Sequence, residues 1–141
     1  MYQELASTDF LQVAYRSDSG LLIGRWLCPV TEPELHEGYE AMRLAARQHR
    51  CQHWLIDARR RTDRRLNGPE WVVTRFLPQV QQEMNQPLCV AFLVLPDHLR
   101  EVEADANRSA KSTDLSAPFQ YARFLDEGAA NAWLDGFQRR E

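Results

Sequence analysis

The chain has 141 residues, is 44% hydrophobic and 26% charged, and carries a formal net charge of −3. These values exclude disorder, a collagen-like repeat, a disulfide miniprotein and a general nucleic-acid coat protein. They fit one globular domain spanning residues 1–141.

The net charge hides an uneven distribution. Residues 1–42 sum to −5, residues 43–65 to +6 and residues 66–141 to −4. The longest apolar run, Leu88 to Leu95, is far too short for a membrane span. Cys28, Cys51 and Cys89 are odd in number and widely spaced, so neither a disulfide framework nor a zinc ribbon is expected. The N-terminal stretch lacks the basic, apolar, small-residue order of a secretory leader. The expectation is a reducing, cytoplasmic setting.

Taken in chain order, Phe10–Tyr15 alternates as a strand, Ser17-Asp18-Ser19-Gly20 has turn chemistry, and Leu21–Leu27 is a second strand. The pair reads as an antiparallel hairpin. Thr31-Glu32-Pro33-Glu34 is a capping box with proline in the first turn, and Leu35, Tyr39, Met42 and Ala46 recur at helical spacing to about His49. His53–Ala58 is a short apolar strand containing Asp57, followed by the loop Arg59–Gly68. A helix starts near Asn67-Gly68-Pro69-Glu70 and carries Phe76, Val80 and Met84, with Pro78 expected to kink or split it. Leu88–Leu95 is apolar on both faces, as a central covered strand requires. A weaker helix from Pro96, an irregular 107–118 segment, a strand Phe119–Leu125 and a helix capped by Asp126 complete the chain. The predicted fold is α/β, with a mostly parallel five-stranded sheet and an antiparallel N-terminal edge hairpin.

This order resembles the STAS domain family, and within it the small single-domain bacterial proteins of the SpoIIAA-like group. The likeness rests on Leu22-Ile23-Gly24-Arg25-Trp26, Leu55-Ile56-Asp57, Val90-Ala91-Phe92-Leu93-Val94 and the ending from Phe124 to Leu134. The resemblance implies a fold that binds partners rather than one that performs chemistry. In that family the strand-ending aspartate, matched here by Asp57, precedes an Asp-Ser pair whose serine is phosphorylated. The loop after Asp57 has no Asp-Ser pair, and Thr62 is its only hydroxyl, so the phospho-switch is not carried over.

The candidate ligand-binding residues are Arg59, Arg60, Arg61, Arg64, Arg65 and Trp71. The arginines lie past the end of a central strand and before a helix, where open α/β sheets bind ligands. Their forked donors suit phosphate or carboxylate. The competing reading is a solvated loop that aids solubility. Trp71, beside that loop, either lines a pocket or packs on the sheet. His49, Cys51 and His53 are close in sequence, but they straddle a helix end and a strand start, so no metal site is expected. Asp57 is read as a loop cap in preference to a general base. No catalytic motif and no cofactor motif is present, and Cys89 is read as core.

Three functions are therefore compared. The first is a non-enzymatic regulatory or protein-interaction module, as a possible homodimer. The second is a binding domain for an anionic or amphipathic small molecule near Arg59–Arg65. The third is an enzyme, with only Asp57 and scattered histidines behind it. No nucleic acid and no membrane span is expected.

Overall fold

A computed structural model describes residues 2–61, 71–97, 99–100 and 117–138. Six strands form one mixed sheet in sequential order: β1 (Tyr2–Ser7), β2 (Leu11–Arg16), β3 (Leu21–Trp26), β4 (His53–Asp57), β5 (Leu88–Leu93) and β6 (Phe119–Phe124). The first three are antiparallel, and β3 to β6 are parallel. The expected five-stranded sheet is thus corrected to six strands, and the β2–β3 hairpin is not the edge. β1 covers it. β1 escapes periodicity because most of its described side chains are solvent-exposed, and its ladder with β2 is interrupted between Glu4 and Ala6. Backbone pairing makes it a strand, and pairing leaves no hydrophobic signature.

Helix α1 (Glu32–His49) joins β3 to β4. Its start follows the residues expected for it. The Glu34 N–H donates to Thr31 Oγ1 at 3.3 Å, and the Thr31 N–H donates to Glu34 Oε1 at 2.9 Å. Thr31→Ala removes the first of these bonds and is expected to cost about 1 kcal/mol, measured as a lower urea midpoint at unchanged slope.

The second helical segment is split. Val72–Phe76 forms a π-helical turn, and α2 (Leu77–Met84) follows. Pro78 has no N–H to give to residue 74 and would crowd that carbonyl in a regular helix. The widened turn relieves this, with the Leu77 N–H donating five residues back to the Val72 carbonyl. α3 (Glu127–Gln138) ends the described chain, with the Ala129 N–H bonded to Asp126 Oδ1 at 2.8 Å. Pro96-Asp97 and Leu99-Arg100 are helical, as expected for that segment. The remainder of that helix, the 107–116 stretch and the residues around Asn67–Pro69 lie outside the described residues.

Side-chain alternation divides the core into two layers. Leu22, Trp26, Trp54, Ile56, Val90 and Phe92 face α1 and α2, and Leu21, Ile23, Leu55, Ala91 and Leu93 face α3. This follows from the crossovers. Two successive right-handed connections in one direction put α1 and α2 on the same face, leaving the other to α3. Among the described residues no helix is long and apolar enough to cross a membrane.

Candidate functional site

The carboxyl ends of the parallel strands carry the polar cluster. In the parallel register Arg25 of β3 lies beside Asp57 of β4, both on the α3 side of the sheet. Asp57 Oδ2 accepts from Arg25 Nη1 at 3.0 Å and from Arg59 Nη2 at 2.8 Å. Its Oδ1 accepts from Arg59 Nε at 2.9 Å and from the Arg59 backbone N–H at 3.2 Å. The backbone bond is the loop cap expected of Asp57. The Arg25 bond comes from the fold. Arg25 Nη2 also reaches Glu127 Oε1, at the start of α3, at 2.9 Å.

Four donors fill the roughly four acceptor positions of a carboxylate. Burial pushes the Asp57 carboxyl up, but the Arg59 and Arg25 bonds outweigh it and hold the group below its ordinary value. The same pairing raises Arg59. With its acceptor positions filled, the Asp57 carboxylate holds two guanidiniums in place.

Arg60 is exposed, and Arg61 takes the opposite face of the sheet. The Arg61 guanidinium carbon lies 5.5 Å from the ring centroid of Trp26, in cation–π contact. The arginine loop therefore divides at the sheet end, with Arg59 on the α3 side and Arg61 on the α1 side. Arg64 and Arg65, the other two candidate arginines, and Thr62 lie outside the described residues.

A cleft of about 490 Å³ opens at this end, lined by Gln12, Arg25, Trp26, Leu27, Asp57, Arg59 and Arg60. Three guanidiniums face one carboxylate, so the lining favours an anion. Trp71 is not among its lining residues. It is half-buried on His36, Tyr39 and Phe76, with ring centroids 4.1, 5.9 and 5.1 Å away, and it lines a separate groove between α1 and α2. Arg25, Gln12 and Glu127 were missed by the sequence reading, since they are brought to Asp57 only by strand register and by the placement of α3.

The +6 segment is also divided. α1 runs opposite to the parallel strands, so Arg43, Arg47 and Arg50 lie toward their amino ends and Arg59–Arg61 at their carboxyl ends. The histidine–cysteine run diverges as expected. His49 stacks on Tyr15 at 4.4 Å, while Cys51 and His53 are buried. Among the described residues no group of three or more His, Cys, Asp or Glu side chains could hold a metal ion. Burial pushes the Cys51 thiol up to about 12, which leaves it protonated and unreactive at neutral pH. Exposed Leu95 and Leu125, 38% and 46% accessible, lie just past the ends of β5 and β6 on the same rim.

Compared with known proteins, the chain matches no family model, no curated protein and no solved structure.

Proposed function

We propose that the chain is a non-enzymatic interaction module of STAS-like type that engages an acidic, partly apolar segment of a protein partner. The contact surface is the rim at the carboxyl ends of β4 to β6. The observation that carries this reading is the saturation of Asp57. Asp57, a buried carboxylate of the rim, is consumed in holding Arg25 and Arg59, while Arg60 is exposed with no ion-pair partner among the described residues. Exposed Leu95 and Leu125 supply apolar surface on the same rim, and cations with apolar surface are a mixture found at protein-binding surfaces. The element order, and Asp57 at the end of β4, support the STAS-like assignment. Three free thiols suit a reducing cytoplasm.

The cleft volume favours a second reading, a small anionic ligand held by Arg25, Arg59 and Arg60, because about 490 Å³ falls within the range of small-molecule sites. One experiment separates the two. Fluorescence anisotropy is measured with labelled peptides that mix glutamate and leucine, and thermal shift with inorganic phosphate and nucleotides. The interaction module is expected to bind peptides, and Arg60→Glu to weaken that binding roughly tenfold through charge reversal without lowering the melting temperature. Equal peptide binding by the two proteins defeats the reading. Stabilisation by phosphate with no peptide binding establishes the small-anion alternative in its place.

A further inference from the structure

The solvent-facing stripe of α1 has an internal symmetry in its charges. Glu37 and Glu40 lie toward the start of the helix, exposed Arg47 lies toward its end, and Arg50 follows as its C-cap. Leu44, 53% accessible, lies between them. About a point midway between Arg43 and Leu44, Glu40 is as far to one side as Arg47 is to the other, and Glu37 as far as Arg50. At a rise of about 1.5 Å per residue Glu40 and Arg47 stand at equal heights from that point and, about two turns apart, on the same face. Turned end for end, the helix presents the opposite charge at each level.

We propose that α1 docks antiparallel on α1 of a second copy of this chain, about a twofold axis passing between Arg43 and Leu44. Glu40 then meets Arg47 of the partner subunit, and Glu37 and Arg50, further out, bring opposite charges to the two ends of the contact. A twofold axis makes each contact twice. Leu44 lies beside the axis, where its own symmetry mate covers it.

Two further observations support this occupant. Within one chain Arg43 is satisfied by Glu40 and by Glu83, the latter at 3.2 Å. Glu37, Arg47 and Arg50 have no ion-pair partner among the described residues, and Glu40, already held by Arg43, is shared with the second copy in the dimer. The groove beside α1 also has mixed sign and an apolar floor. Two clefts of about 770 and 550 Å³ share Arg43, Val80 and Glu83 and so run together, and Phe76 and Met84 extend the apolar floor. A purely acidic ligand lying along that groove would meet Glu37, Glu40 and Glu83. A second α1 brings both signs to the matching levels.

Exposed ion pairs are individually weak and salt-screened, so the expected dimer is weak and loosens as salt rises. The test is sedimentation velocity over a concentration series at low and high salt. The unaltered chain is expected to rise from 16.4 kDa toward twice that mass at low salt. Glu37→Arg with Glu40→Arg makes the stripe wholly basic, and Arg47→Glu with Arg50→Glu makes it wholly acidic. Each variant alone is expected to stay monomeric. Mixed in equal amounts they are expected to form a heterodimer, because all four levels are again complementary. Circular dichroism checks that both fold. If either does not, Leu44→Arg, at an exposed position, is expected to abolish the dimer alone. An unaltered chain that stays at monomer mass throughout, or a dimer that persists in both charge variants, overturns the proposal.

Discussion

Gly38→Ala is expected to destabilise the protein by about 2 kcal/mol, although alanine is the better helix former by about 1 kcal/mol. Gly38 is buried in the middle of α1, where the helix presses on the sheet. A Cβ placed there would stand 2.4 Å from Trp26 Cη2, 2.9 Å from Cζ3 and 3.0 Å from Leu11 Cδ2. Trp26 cannot yield. It is fully buried at the end of β3, with the Tyr39 ring 5.4 Å away and Arg61 stacked over it. Either α1 lifts from the sheet or the indole is forced off its rotamer, and both outcomes lose core packing. Thermal unfolding should show a melting temperature lower by roughly 6–8 °C for a chain of this size. A gain in stability of the size of the propensity term would refute the close approach of α1.

Gly24→Ala provides the contrast. The added Cβ would meet Met42 Sδ at 2.7 Å and Cε at 2.9 Å. Those atoms form the end of an unbranched, flexible side chain, which can swing aside. The cost is expected to be about 1 kcal/mol, less than at Gly38.

Asp57→Asn is expected to cost about 2 kcal/mol at neutral pH. Removing one member of a buried ion pair costs about 3–5 kcal/mol, and the figure is reduced here because Arg25 and Arg59 retain partial contact with water. The amide keeps one acceptor oxygen but turns an N–H₂ group toward guanidinium donors. The pH dependence identifies the mechanism. The folded-state carboxyl lies below its ordinary value of 3.8, so its contribution is complete above that value and is lost as pH falls through the folded-state pKa. Urea unfolding between about pH 7 and pH 2 should therefore show the gap between the two proteins closing in acid, with the flatter acid limb in Asp57→Asn. A gap of constant size down to the lowest pH would mean that the loss comes from shape and not from charge.

The same residues show how far local pattern reaches. The α1 cap was legible because Thr31 and Glu34 satisfy each other within a single turn, and β5 because a strand covered on both faces must be apolar throughout. Pro78 announced an interruption, since the missing donor belongs to the residue itself. Asp57 was recognisable as a loop cap because its partner, the Arg59 N–H, is two residues away.

Long-range pairing decided the rest. β1 has little buried side-chain surface, so only its ladder with β2 defines it. The cluster at Asp57 depends on Arg25, which is 32 residues away and adjacent only through parallel register, and on Glu127, delivered by a helix from the far end of the chain. Composition showed a basic segment of +6 between acidic flanks. The fold separates it, because α1 runs back along the sheet and carries Arg43, Arg47 and Arg50 to one end while the loop after β4 holds Arg59, Arg60 and Arg61 at the other. Charge, capping and hydrophobic period belong to neighbours along the chain and can be read there. Which cations share a surface depends on strand direction and register, which local sequence does not encode.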